Sequence, residues 1–402
     1  MKPVLVDVGD RFWTNPWRSI SPIKLRVEYT DTQFEFKFKA PSTSTLQIYD
    51  GDGTMTEVTG QDSTLVTHNT SYATPGTYYF YVEGDYVDLT VLNIAAHSFV
   101  SGDISRWGVL TNLTFLIAAR CDLYGSVEAL KTCTSITILT LQNNPRLFGD
   151  ASTLSVLGNV TCSLYDTAVT FDNVVDMTKT GGSAEYGKSS VLTSAMIDNI
   201  FNSYKDSSSP FRIEVWGNSA KRTSASNAAI ISLIQDSCKV GFDYVDTGLG
   251  VLGIELHTDA NAASIDNEAG ATTGWTPTGL SGDNEFISQS AEKTTGSYAL
   301  KAQCNETPTA NAKFQKEFTV TAERFYRMLW DWKHVGEGES WATFIEGGAF
   351  IQIQTDETEW NRFEAYYKAP DTSFEMRFTE YNTDNNGGIY VDNFSFKEIT
   401  FE

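Results

Sequence analysis

Positive charge is scarce in this chain. Lys and Arg number 29 against 51 Asp and Glu, a net charge of −22. No basic stripe is present to replace phosphate counterions, which excludes ordinary nucleic-acid binding. Docking on an anionic membrane is excluded for the same reason. Long apolar runs are also missing, so no segment reaches the length of a membrane span and membrane insertion is not expected. The start, Met1-Lys2-Pro3-Val4-Leu5-Val6-Asp7, has no apolar core and meets Asp7 and Asp10 at once. It does not read as a secretory signal, and the expectation is an unprocessed chain made in a host cytoplasm and located in a virion. Cysteine is limited to Cys121, Cys133, Cys162, Cys238 and Cys304, an odd number without C-x-x-C spacing. That argues against a disulfide framework or a zinc site and for reduced, buried thiols. Histidine is limited to four scattered residues. No G-x-S-x-G and no H-E-x-x-H occurs, so the expectation is a chain with no enzymatic activity. Heptads are missing too, so a coiled-coil trimer is not encoded. A homo-oligomer formed through flat domain sides is compatible with the sequence.

What is present is apolar and aromatic residue in quantity, 41% and 13% of the chain. That is enough for folded structure throughout, and the aromatics cluster with Thr, Val and Ile, which favours strands. The length of 402 residues exceeds one ordinary core. The central stretch repeats. Leu113, Leu116, Ala118, Cys121, Leu123 and Gly125 fit L-x-x-L-x-L-x-x-N/C-x-L-x-G, and Ile136, Leu139, Leu141 and Asn144 fit it again. Leu147 and Gly149 follow one position late, behind Pro145, and a worn third copy starts at Val160. Thr114, Thr137 and Thr161 form one column and Leu113, Ile136 and Val160 another, the register of parallel strands stacked turn on turn. Cys121 takes the repeat's Asn/Cys slot.

Four segments follow from the pattern. Residues 1–22 carry Trp13, Pro16, Trp17 and Pro22 without a period and read as an arm, suited to attachment or to packing on its own domain. Residues 23–95 alternate at period two, as in Ile23–Tyr29 and Phe34–Lys39, and read as a small β-sandwich. Residues 96–257 hold the repeats. They are followed by a helix capped by Thr193 or Ser194 with Met196, Ile197, Ile200 and Phe201 inward, and by a strand at Phe211–Trp216. A helix with Ala229, Ile230 and Leu233 inward and an aromatic strand from Gly241 complete this segment. Residues 258–402 read as many short strands between turn clusters. The fold class is therefore multidomain and mostly β: an N-terminal β-sandwich, a central short α/β leucine-rich-repeat solenoid with a helix–strand cap, and a C-terminal β jelly roll.

Three resemblances refine this. Asp50-Gly51-Asp52-Gly53-Thr54, with Tyr72, Gly76 and Tyr78 after it, resembles the PKD-like, immunoglobulin-type modules of surface proteins, although Tyr49 stands where those modules carry Trp. Asp50 and Asp52 offer the oxygen ligands that calcium takes. A turn held by Asp side-chain hydrogen bonds is the favoured reading. The text Ile213-x-Val215-x-Gly217-Asn218, then Thr223-x-x-Ser226 and Ala228-Ala229-Ile230-x-x-Leu233, is similar to a module of phage tail fibres with degenerate leucine-rich repeats. Asn267-Glu268, Gly274-Trp275, Gly296–Leu300, Tyr326, Trp360-x-x-Phe363, Ala369-Pro370 and Ile389-Tyr-Val-Asp392 resemble a jelly-roll carbohydrate-binding module. That likeness implies a structural calcium between the first and last strands, with Glu268 and Asp392 as ligands and Asp266 as a spare. Ordinary surface acids are the equal alternative. It also implies that Trp275 and Trp360 pack in the core. Sugar contact then falls to Trp330, Trp332, Trp341 and Tyr367, for which core packing is the stronger competing reading.

Gly182-Ser-Ala-Glu-Tyr-Gly187-Lys188-Ser189 matches the P-loop pattern. Thr178–Gly181 intervene where a strand is needed, and the helix cap comes late, at Thr193. A Gly/Ser connection is expected there, not a nucleotide site. Together these readings imply a bacteriophage virion structural protein. The expected form is a tail fibre, tail-associated protein or capsid-decorating adhesin. Its N-terminal region would bind other virion proteins and its jelly roll host surface polysaccharide. A bacterial cell-surface adhesin and a polysaccharide-degrading enzyme of the virion are the alternatives.

Overall fold

The computed structural model describes residues 21–30, 33–218, 220–243, 245–255, 276–278, 285–289, 299–304, 312–335, 339–346, 349–355, 359–381 and 387–401. Trp13, Trp17, Asp266, Glu268 and Trp275 lie outside them. The chain is mostly β and forms two compact units, Met1–Asp172 and Asn173–Glu402.

The first unit begins with β1 (Lys24–Tyr29), β2 (Phe34–Lys39), β3 (Thr45–Tyr49), β4 (Met55–Thr59), β5 (Val66–Thr70) and β6 (Gly76–Gly84). β6 pairs antiparallel with β1 and β3, β4 lies beyond β3, and β2 pairs with β5. Period-two alternation turns Leu25, Val27, Phe34, Phe36, Phe38, Leu46, Ile48 and Phe80 inward. The two sheets meet through these rings: Phe80 lies 5.1 Å from both Phe34 and Phe36. The turn after β3 is tied down by Asp50. Its buried carboxylate accepts from His68 Nε2 at 2.9 Å and Thr70 Oγ1 at 2.7 Å, and its carbonyl accepts from the Tyr72 hydroxyl at 2.7 Å. Asp52 accepts from the Thr54 amide at 2.8 Å. Asp50 therefore serves as a hydrogen-bond hub of the turn, with its Oδ1 already engaged twice.

Both sheets continue past residue 95. β1 pairs antiparallel with β8 (Val100–Asp103), and β2 with β7 (Val91–Asn93). From there pairing becomes parallel. One ladder runs β7, β9 (Phe115–Ile117), β11 (Ile138–Thr140), β13 (Thr161–Ser163). The other runs β8, β10 (Asp122–Ser126), β12 (Arg146–Asp150), β14 (Ala168–Thr170). Leu92, Leu116, Leu139 and Cys162 stack in register as one buried column. The Thr114 and Thr137 hydroxyls each donate to a carbonyl one turn back, 24 and 23 residues away.

Each turn closes with a short 3-10 helix, at Ile104–Val109, Val127–Thr132 and Ala151–Leu157. Asp103, Ser126 and Asp150 cap them by accepting from the amides two residues on. These caps explain the repeat's glycines. Gly125 has φ +106°, and a Cβ there would sit 2.4 Å from Asp103 Oδ1; at Gly149 it would meet Ser126 Oγ at 2.6 Å. The cap of one turn occupies the room a side chain would need on the next.

The second unit starts with a parallel run, β15 (Ser183–Gly187), β16 (Arg212–Trp216) and β17 (Lys239–Asp243), connected by α1 (Ser194–Tyr204) and α2 (Asn227–Gln235). Thr193 caps α1 through the Met196 amide. α1 buries Ile197, Ile200 and Phe201, and α2 buries Ala229, Ile230 and Leu233, as their spacing requires. The P-loop-like residues make up β15 itself, so the pattern has no phosphate-cradling loop.

β18 (Val251–Glu255), β19 (Thr276–Thr278), β20 (Glu285–Gln289), β21 (Ala299–Cys304), β22 (Ala312–Thr319), β23 (Phe325–Val335), β24 (Glu339–Glu346), β25 (Ala349–Thr355), β26 (Asn361–Lys368), β27 (Ser373–Tyr381) and β28 (Gly387–Thr400) follow. One sheet runs β20-β21-β28-β23-β26-β17-β16-β15, with β18 also on β28; the other runs β19-β22-β27-β24-β25. β17 pairs antiparallel with β26, so the parallel run and the antiparallel strands share one sheet. Cys121, Cys133, Cys162 and Cys238 are buried. Burial pushes the Cys121 and Cys133 thiols up to about 11 and Cys238 up to about 12.

Candidate functional site

The long strands β23, β26 and β28 have two unlike faces. Tyr326, Met328, Trp330 and Trp332 on β23 point one way, with Phe363, Ala365 and Tyr367 on β26. They meet Phe374, Phe378, Phe394 and Phe396 in an aromatic core: Trp330–Phe363 5.0 Å, Tyr367–Phe374 4.6 Å, Trp330–Phe378 5.9 Å between ring centres. The other face carries Arg327, Asp331 and Lys333 on β23, Arg362, Glu364 and Tyr366 on β26, and Tyr390 and Asp392 on β28.

This placement corrects the expectation for three aromatic residues. Trp330, Trp332 and Tyr367 are 0%, 2% and 3% exposed, with their faces covered by other rings. Burying a ring removes roughly 150–250 Å² from water, about 4–6 kcal/mol at ~25 cal/mol per Å², so core packing wins over sugar contact. Trp341 lies on β24, and its side chain is outside the described residues. Trp360, set aside from the sequence as a core residue, is instead half-buried at the edge of the polar face. The Lys333 ammonium sits 5.7 Å from its ring and 5.4 Å from the Tyr390 ring.

Beside this aromatic edge lies a fixed polar row. Arg362 donates twice to Asp331, Nε to Oδ1 at 2.6 Å and Nη2 to Oδ2 at 2.7 Å. Asn393 Nδ2 donates to the same Oδ2 at 2.7 Å. Asn393 has φ +52° and lies beside the register shift between β23 and β28, a bulge that turns its amide onto Asp331. The Arg362 side chain remains 40% exposed while Asp331 is 5% exposed. A buried carboxylate therefore holds an exposed guanidinium in one orientation, which lowers the entropic cost of ligand contact. Asp392 is fully buried, opposite Asp331, and accepts from the Asn393 amide at 2.8 Å. One buried carboxylate on the last strand fits the role of a calcium ligand. Its expected partner Glu268 lies outside the described residues, and Asp331 is already committed to Arg362. No group of three or more metal-ligating side chains occurs among the described residues.

Two residues along β26 the face deepens. Glu364 Oε1 accepts from Arg327 Nε at 2.5 Å and from the Tyr366 hydroxyl. Burial pushes the Glu364 carboxyl above its ordinary range, and Arg327 pulls part of that back. Across from it Arg222 lies over the Phe242 ring at 4.4 Å and donates to Asn227 Oδ1 and Thr247 Oγ1, both at 2.7 Å. Arg222, Thr247, Arg327, Glu364 and Tyr366 line a cavity of about 200 Å³ together with the rest of residues 245–250.

An aromatic edge beside oriented guanidinium, amide and carboxylate groups is an arrangement that takes up a polyhydroxylated ligand. No protein-family model matches the chain, and no curated protein is similar to it in sequence. Solved structures similar to it include the xylan-binding CBM22-1 domain of Paenibacillus barcinonensis Xyn10C. That match is 14% identical, covers 38% of this chain and 97% of that one, and has a TM-score of 0.28. The CBM61 module TmCBM61, solved with β-1,4-galactotriose, is 16% identical over 37% of this chain and 100% of its own, with a TM-score of 0.30. The enzymatically active domain of tailspike protein 4 of bacteriophage CBA120 is 11% identical over 72% of this chain and 45% of its own, with a TM-score of 0.30. The expectation of a chain with no enzymatic activity is corrected here, because an enzymatically active domain stands among the similar structures. Missing hydrolase motifs are not evidence against glycan cleavage.

The sequence contained the signal for this site. In Arg327-x-Leu-x-Asp331-x-Lys333 and Arg362-x-Glu364-x-Tyr366 the polar residues alternate with the aromatic ones. Period two alone assigns Trp330 and Trp332 to the face opposite Asp331 and Lys333.

Proposed function

We propose that this chain is a glycan-binding protein of a bacteriophage virion, a tail fibre, tail-associated protein or capsid-decorating adhesin. Its second unit meets host surface polysaccharide on the polar face of β23, β26 and β28. The observation that carries the glycan reading is the pairing of the half-buried Trp360 ring with a guanidinium, Arg362, fixed by Asp331. A sugar ring stacks its C–H face on Trp360 while Arg362 and Asn393 bond its hydroxyls. The phage setting rests on the tail-fibre-like text at residues 213–233. In this reading the first unit comprises a PKD/Ig-like module and a short leucine-rich-repeat solenoid. Its N-terminal region attaches to other virion proteins, and the solenoid spaces or presents the jelly roll.

Chromatography of the full chain on purified host capsular polysaccharide tests this, with the eluate assayed for new reducing ends. Retention is expected, weakened at least tenfold by Trp360→Ala and by Arg362→Ala. New reducing ends would add cleavage to binding. If no host polysaccharide retains the chain, the reading fails.

A structural calcium held by Asp392 and Glu268 belongs to the same proposal. Chelation is then expected to lower the melting temperature, with recovery on adding Ca2+ but not Mg2+. An unchanged melting curve after chelation would remove the metal from the account.

A further inference from the structure

We infer that the cavity beside Glu364 is a subsite for a single uncharged sugar unit at the end of a glycan chain, continuous with the Trp360 platform. This rests on the glycan reading above and names a second place where the ligand is held. Two buried groups at the cavity carry the argument. Glu364 is 2% exposed and Arg222 3%, and both line the cavity. Glu364 Oε2 and Arg222 Nε each lack a hydrogen-bond partner in the protein. An orphaned buried polar atom costs about 1–3 kcal/mol, so a pair at one cavity points to a ligand that satisfies both. One is an acceptor and the other a donor. A sugar hydroxyl carries both complements, an O–H that donates and an oxygen that accepts.

Size and charge narrow the ligand. The cavity is about 200 Å³. That is below the roughly 300–1,000 Å³ of drug-sized pockets and equals about six or seven waters at ~30 Å³ each, space for one small polar ring. Arg222 and Arg327 are faced by Glu364 and by Asp246 at the lining. The cations are thus matched by acids, which favours a neutral ring over a phosphate or a uronate. Position supplies the chain-end element. Glu364 and Arg362 lie two residues apart on one face of β26, about 7 Å at ~3.3 Å per residue. Residues 245–250 make up much of the cavity lining, so we place the end of a glycan lying along Trp360 and Arg362 against them.

The test uses the full chain and a short oligosaccharide cut from the polysaccharide that the wild type retains. Leu252 lines the cavity and is 38% exposed, so Leu252→Trp fills the mouth without touching the buried charges. Glu364→Gln removes the carboxylate while keeping its shape. By titration calorimetry, each is expected to weaken oligosaccharide affinity at least tenfold. If Glu364→Gln does not fold, Leu252→Trp alone decides. Wild-type affinity in Leu252→Trp would overturn the inference and leave a water-filled cavity, while the platform reading stands. A wild type that binds no glycan at all would overturn both.

Discussion

The stacked turns of the first unit and the shared sheet of the second bury polar groups in opposite ways. In the turns the buried polar side chains are neutral, and one of them bridges to the adjacent turn. Asn144 is fully buried: its Nδ2 donates to the carbonyls of Ala118, Leu141 and Gln142, and its Oδ1 accepts from the Leu123 amide. Cys121, one turn earlier, does less of the same, its thiol donating to Ile94 and Ala119 carbonyls. In the second unit the buried groups include Glu214, Arg222, Asp331, Glu364 and Asp392, and the carboxylates of Asp331 and Glu364 are held from neighbouring strands by Arg362 and Arg327. A repeat can satisfy a turn from the one before it, as the Asn144, Thr114 and Thr137 side chains do. The shared sheet gathers charged groups, and two of the polar atoms left without a partner, Glu364 Oε2 and Arg222 Nε, belong to residues that line the cavity. In the proposed reading, recognition falls where polar groups are oriented but incompletely used.

The largest expected effect breaks the first half of this comparison. Asn144→Ala strands several backbone groups in the interior and is expected to cost about 3 kcal/mol or more in urea unfolding of the full chain. Asn144→Cys, the residue found one turn earlier, is expected to cost clearly less. Equal losses would mean that the side-chain ladder between turns is not what holds them.

A smaller effect sharpens the second half. Glu185 and Glu214 both face Arg212, and the contact to Glu185 is the close one, while Glu214 lies 3.4 Å away. Burial pushes the fully buried Glu214 carboxyl up to about 8, against the pull of Arg212. The folded chain thus keeps a proton there that the unfolded chain releases near the ordinary 4.5. This contribution to stability is complete below about pH 4.5 and is lost as pH rises towards 8. Glu214→Gln is expected to flatten the fall in melting temperature across that window and to raise it at pH 8 relative to wild type. Parallel wild-type and variant curves would show that Glu214 titrates normally.

Much of the fold was legible because it is periodic. The columns of Leu113, Ile136 and Val160, the Cys121/Asn144 slot and the helix faces of residues 193–234 follow from spacing alone. The continuation of β1 and β2 into the stacked strands, and of β17 into β26, was not legible, because strand pairing between segments leaves no mark on local pattern. The site was half legible. Alternation along 325–335 and 361–368 separates the two faces, but aromatic size drew attention to Trp330, Trp332 and Tyr367, which serve the core. Trp360 was set aside because the resembled family packs that position inside. The partnership of Arg222 with Glu364 joins residues on different elements, and only the fold brings them to one cavity.

The most direct test of the central claim is a crystal structure of the full chain soaked with an oligosaccharide of the retained polysaccharide. The account predicts a sugar ring on the Trp360 face with its hydroxyls on Arg362 and Asn393. A sugar bound elsewhere on the chain, with the face of β23, β26 and β28 left bare, would contradict it.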